Sequence, residues 1–240
     1  MTYCLGMRCA DGLIAIGDTR LTSGEIDYVV TGKKIFLYKA KKSALFIMVS
    51  GLKSLSDALI VYLNDNKTKL LAPKKIYQGV DYIVKILREI RAREEEWLQR
   101  GNLDFNLHCI VGGQYEEDRS CQLFRIYPEG SWTRIRRDTP FEIIGEIKYG
   151  KPILDRLFTS KTDTSEALLL GLISFDSTWR SNPMVHPPID VIKYSLNNYT
   201  FKHTRLKLRD LRKLRTEWEN GLTEIVKKLS GKKFQFFKKK

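Results

Sequence analysis

Apolar residues recur along this chain at a period that switches between two and about 3.6, and the switches come in blocks. Residues 2–9 alternate: Tyr3, Leu5, Met7 and Cys9 fall on one face, and Thr2, Cys4, Gly6 and Arg8 on the other. Asp11-Gly12 supplies a hairpin turn before a second strand over 13–19, and another strand pair is predicted at 34–38 and 44–49. After Ser50-Gly51 the period lengthens. Leu52, Leu55, Leu59 and Leu63, then Val80, Val84, Leu87 and Ile90, describe two amphipathic helices broken at Asn64-Asp65-Asn66 and Pro73. Strands return at 105–111, 122–127 and 131–136, helices at 152–158 and 164–173, one strand at 188–194, and a last helix over 206–229.

Grouped strands and grouped helices exclude a doubly wound parallel sheet, in which the two alternate singly. The expected class is α+β, a four-layer αββα sandwich of two antiparallel sheets. Each sheet then buries one face on the other and its second face under helices. At 240 residues the chain is long enough for one core. Residues 1–230 are read as a single domain that includes the amphipathic helix 206–229. A tail over 231–240 follows, with Phe234, Phe236 and Phe237 set among lysines.

The formal net charge is +14, but residues 201–240 hold 14 Lys/Arg against 4 Asp/Glu, so the body is nearly neutral. Nucleic acid is therefore not the expected partner, although a basic binding module confined to the last 40 residues is one reading. The longest apolar runs, 44–49 and 167–173, fall short of a membrane span, and residues 1–8 lack the pattern of a secretory signal. The expected location is the cytoplasm, with no membrane partner. Cys4, Cys9, Cys109 and Cys121 form no Cys-x-x-Cys and have no His at ligand spacing, so they read as reduced, buried thiols. No metal site, no cofactor and no phosphate-binding glycine loop is expected.

Thr2 is the candidate for the chemistry. A small residue after Met1 permits removal of that methionine, which leaves a threonine with a free α-amine beside its own hydroxyl. The amine, with an ordinary pKa of about 7.7–8.0, can take the hydroxyl proton, and a nearby cation holds it in the neutral form that does so.

These residues resemble a known family. Thr2, the Asp18-Thr19-Arg20 triplet and Lys34 are spaced as in the catalytic subunits of proteasome-type threonine proteases. Ser50-Gly51 looks like the turn whose backbone N–H serves as oxyanion hole. Residues 110–113, 124–130 and 144–145 look like the second-sheet segment of that fold. Asp176, followed by Ser181, looks like the pair that holds the terminal amine. Within the superfamily the sequence is most similar to the bacterial proteasome-like Anbu family. Met-Thr-Tyr-Cys at the start, residues 145–152, 174–178 and 180–182, and Trp218 with Gly221-Leu222 carry that likeness over nearly the whole chain.

The resemblance implies an Ntn-hydrolase fold, a peptide or amide substrate, and a homo-oligomer built as an open ring or a helical assembly. It implies Thr2 as nucleophile, Lys34 beside the amine, Asp18 holding Lys34, the Gly51 N–H facing the oxyanion, and Asp176 and Ser181 orienting the amine. Val49 and Leu21 would shape an apolar specificity pocket. Glu146-Ile147 stands where related subunits have a serine, so no catalytic serine is carried over. The alternative is a proteasome-like assembly or scaffold subunit with little or no peptidase activity.

Overall fold

The structure is a computed structural model that describes residues 2–22 and 29–231. Strands β1 (Tyr3–Arg8) and β2 (Gly12–Asp18) form the hairpin expected around Asp11-Gly12. A short ribbon, β3 (Arg20–Thr22) with β4 (Val29–Thr31), precedes β5 (Ile35–Ala40) and β6 (Ser43–Ser50). Helices α1 (Lys53–Asp65), α2 (Lys67–Leu71) and α3 (Ile76–Arg100) follow. Next come β7 (His108–Tyr115), β8 (Gln122–Ile126), β9 (Trp132–Arg134) and β10 (Phe141–Gly145). The chain continues with α4 (Lys151–Leu157), α5 (Thr164–Ser181), β11 (Ile189–Ser195), β12 (Phe201–Leu206) and α6 (Leu208–Ser230).

Two five-stranded antiparallel sheets result, ordered β10-β1-β2-β11-β12 and β5-β6-β7-β8-β9. Three buried apolar layers separate four layers of secondary structure. Leu45, Ile47 and Val49 of β6 meet Leu59 of α1 and Ile83 and Leu87 of α3. Phe46 and Met48 of the same strand turn the other way, onto Cys4, Leu13 and Ala15 of the first sheet. Tyr3, Leu5 and Met7 then pack outward against Leu170 and Phe175 of α5. The αββα sandwich expected from the blocks is the architecture found.

The structure adds to the sequence reading in places. The β3–β4 ribbon and β12 were not anticipated. β12 is an edge strand whose residues between Phe201 and Leu206 are exposed, so it shows no apolar alternation. Residues 144–145, read with the second sheet, belong instead to the first. Gly145 pairs with Tyr3, because Phe141 and Ile143 of β10 bury into the layer under α4 and α5. The last helix starts at Leu208, two residues later than expected, because Leu206 ends β12. The proposed tail lies, from residue 232 onward, outside the described residues. Among those described, no helix is long and apolar enough to cross a membrane.

All four cysteines are free and buried. Burial pushes the thiols of Cys9, Cys109 and Cys121 up to about 12, so each is protonated and unreactive at neutral pH.

Candidate active site

Asp18 ends β2 with its side chain fully buried, and its two oxygens organise three neighbouring strands. Oδ1 accepts from the Tyr3 N–H at 2.8 Å and from Lys34 Nζ at 2.8 Å, while Oδ2 accepts from the Arg20 N–H at 3.2 Å. Burial pushes the Asp18 carboxyl up, and Lys34 together with the two N–H donors opposes that shift. Lys34 lies just before β5, anchored by its carbonyl, which accepts from Val49 N–H at 3.0 Å. Thr19 and Arg20 are fixed as well: Thr19 Oγ1 donates to the Pro188 carbonyl at 2.7 Å, and Arg20 Nη1 to the Pro183 carbonyl at 2.9 Å. The Lys34 ammonium is therefore a next neighbour of the Thr2–Tyr3 peptide, joined to it through one oxygen.

Thr2 itself is held by its carbonyl, which accepts the Glu146 N–H at 2.7 Å. Gly145 makes that approach possible. Its φ is +94°, and a Cβ there would sit 1.9 Å from the Thr2 oxygen. Glu146 is buried, accepting the Lys148 N–H on Oε1 at 3.0 Å and Asn182 Nδ2 on Oε2 at 2.9 Å. The sequence reading set Glu146 aside because it replaces a serine, and it gave Asn182 no role. The signal was a carboxylate directly after a strand-ending glycine and an amide directly after a helix, between Ser181 and Pro183.

Gly51 turns the chain from β6 into α1 at φ +136°, where a Cβ would meet the Asn106 carbonyl at 2.3 Å. Asn106 Oδ1 accepts the next N–H, that of Leu52, at 2.9 Å. Among the described residues the Gly51 N–H donates to no acceptor. Ser50 and Gly145 line one cleft of about 370 Å³, together with His108, Arg125 and Lys151. The turn carrying Gly51 and the glycine against Thr2 thus flank the same opening. His108 Nδ1 lies 2.9 Å from Arg125 Nη2, and burial and that guanidinium push the imidazole down.

The other expected residues stand elsewhere. Asp176 lies on α5, and its closest ionic partner is Arg215 Nε of α6 at 3.8 Å; Oδ1 has no hydrogen-bond partner, and burial pushes the carboxyl up. Ser181 is exposed in the last turn of α5. Among the described residues neither makes a hydrogen bond to Thr2, Asp18 or Lys34. Val49 is 5% exposed and faces α1 and α3, whereas Leu21, paired with Val30 across the β3–β4 ribbon, keeps accessible surface. No three His, Cys, Asp or Glu side chains converge as a metal site among the described residues.

No known family profile matches the chain, and no curated protein does. Solved structures match it over nearly its full length. The helical assembly of the Anbu complex from Pseudomonas aeruginosa is 32% identical, with 98% of this chain and 100% of that one covered at a TM-score of 0.90. An Anbu (Gly-1) mutant from Hyphomicrobium sp. strain MC1 is 32% identical over 98% and 99% of the two chains, at 0.88. The chain belongs to the Anbu family. Anbu (ancestral beta-subunit) from Yersinia bercovieri, 30% identical over 97% and 99% of the chains at 0.88, agrees. Membership of the Anbu family gives this chain its proteasome-like fold, the resemblance stated from Thr2, Asp18 and Lys34.

Proposed function

We propose that this Anbu-family chain is an N-terminal threonine hydrolase acting on a peptide or other amide, once Met1 is removed, within a homo-oligomeric particle. The observation that carries the reading is the oxygen of Asp18 shared between Lys34 and the Tyr3 N–H. It fixes a cation next to the residue that would bear the amine. Thr2 Oγ attacks the carbonyl and its proton passes to the α-amine, which Lys34 keeps neutral by its positive field. The same proton then goes to the leaving amine, and a water, deprotonated by the α-amine, hydrolyses the ester. The unengaged Gly51 N–H faces the oxyanion, a contribution of about 2.7–4 kcal/mol for one donor. Of the two apolar residues proposed for the substrate side chain, Leu21 keeps accessible surface and Val49 almost none.

For the role of holding the amine, the resemblance gives Asp176 and Ser181; Glu146, whose backbone N–H seats the Thr2 carbonyl and whose carboxylate accepts from Asn182, is a second candidate. Self-assembly is supported by α6, whose first half packs through Leu211 while Leu222, Ile225, Val226 and Leu229 are exposed. The relative from Pseudomonas aeruginosa is described as a helical assembly, and the same mode is proposed here.

The deciding experiment is treatment of the purified particle with a peptide epoxyketone, which needs both a hydroxyl and an amine on one residue, followed by intact mass. One adduct per chain, mapped to Thr2 and lost in Thr2→Ala, is expected. Particles of normal size with no adduct would leave the scaffold reading in its place.

A further inference from the structure

Thr2 lies at one end of β1, and Arg8 at the other. Beyond Arg8 opens a second cavity, of about 470 Å³, between the β1–β2 turn, Ser120-Cys121 ahead of β8, Arg137 ahead of β10, and Ser160-Lys161 between α4 and α5. Arg8 shares the parity of Cys4, so it projects between the sheets, and its Nη2 donates to Ser120 Oγ at 3.2 Å. Three cations therefore line one cavity that opens to solvent.

No close ion pair among the described residues balances them. Among the described residues no carboxylate comes within 4.0 Å of Arg8, Arg137 or Lys161, and the nearby Asp138 pairs with Arg136 instead. The carboxylates whose fields reach neighbouring Cys9 are Asp11 and Asp163, and both are committed to the start of α5. Asp11 accepts from Thr164 N and Oγ1, each at 2.8 Å. Asp163 accepts the Ser165 and Glu166 N–H groups at 2.7 and 2.9 Å. Burial first, and then the field of the facing Arg137, hold the Arg8 guanidinium below its ordinary value.

We propose that this cavity binds a phosphoryl dianion, with Arg8, Arg137 and Lys161 supplying the charge and the Ser120 and Ser160 hydroxyls supplying further hydrogen bonds. Guanidinium forks match phosphate oxygens two at a time, and a divalent anion answers three unpaired cations better than a single carboxylate does. A water occupies about 30 Å³ of liquid, so the cavity has room for an organic group beyond the phosphoryl, which Ala10 and Leu196 would meet. Because the candidate nucleophile lies at the opposite end of β1, the ligand is an effector or a structural anion and not the substrate.

Isothermal titration of the full-length particle with pyrophosphate, at ionic strength held constant with chloride, tests this. Saturable binding of one anion per chain is expected. Arg137→Gln and Lys161→Gln, both at exposed positions that leave the core untouched, are expected to weaken it at least about tenfold each, the scale of a lost charge-assisted hydrogen bond. Thr2→Ala is expected to bind as the parent does. Binding unchanged in both cavity variants places the anion elsewhere, for example on the lysine-rich end, and overturns the proposal. Heats matched by chloride alone, or citrate bound as tightly as pyrophosphate, overturn it as well.

Discussion

Lys34 Nζ stands 2.8 Å from Asp18 Oδ1 with both side chains buried, at 4% and 0% exposure. Replacing one member leaves the other charge without its counterion in a dry setting. Lys34→Met should therefore lose about 3–5 kcal/mol of stability. The double variant Asp18→Asn with Lys34→Met should recover much of that loss. Denaturant unfolding of the three proteins measures it, and hydrolysis should be absent from both variants. A single variant as stable as the parent would show that the pair carries no strain and no support.

Gly145 is the second test of the cradle. At φ +94° any side chain costs about 1–3 kcal/mol, and a Cβ would also displace the Thr2 carbonyl. Gly145→Ala should unfold at a lower temperature and lose epoxyketone labelling by at least about tenfold. Calorimetry and labelling kinetics read the two effects separately.

Glu146 and Asp176 compete for one role, and their variants separate them. Glu146→Gln removes the charge and leaves one acceptor for the two donors, Lys148 N–H and Asn182 Nδ2, and kcat should fall with KM little changed. Asp176→Asn should leave kcat near the parent value and loosen α6, where Arg215 also lies 4.8 Å over the Trp179 ring. The reverse pattern would return the amine-holding role to Asp176.

Asp190, buried on β11 and paired across the sheet with Gly17, gives a pH signature of its own. Burial alone would raise its carboxyl, but hydrogen bonds at 2.8 Å from Arg205 and His203 outweigh burial and hold it below the ordinary range. The ionised form is the one stabilised. Its contribution is complete above the ordinary carboxylate pKa of about 4 and is lost as pH falls through the lower folded value. Asp190→Asn should cost about 1.5–3 kcal/mol at neutral pH, and the gap to the parent should close below about pH 4. Melting curves across that window decide it.

The exposed end of α6 predicts where copies meet. Ile225 is 54% exposed and Val226 62%, on a helix whose other end is packed. Ile225→Asp with Leu229→Asp should leave the fold and the Asp18–Lys34 pair intact while reducing the particle to smaller species, as read by light scattering. An unchanged mass would move the contact to another face.

What the sequence made legible follows from how each element is buried. β1 and β6 lie between two apolar layers and α3 turns one apolar face inward, so period alone finds them. β12 is exposed on both faces between Phe201 and Leu206 and sits at a sheet edge, where period carries little. Thr2, Asp18 and Lys34 were singled out by their family-like spacing, and the structure brings Asp18 and Lys34 together beside the Tyr3 N–H. The cradle under Thr2 was not, because Glu146 reaches it only through the pairing of β1 with β10, a partnership set by three-dimensional packing. Val49 was expected at a pocket from the resemblance, but strand parity turns it onto α1 and α3.

The hydrogen bond from the Glu146 N–H to the Thr2 carbonyl also sets a timetable. Thr2 precedes Glu146 by 144 residues (146 − 2), so the group that seats it is made long after it. Until then the threonine travels without its clamp. The order of translation thus acts as a safety catch, withholding the seat of the proposed nucleophile until the strand that pairs with β1 has been made.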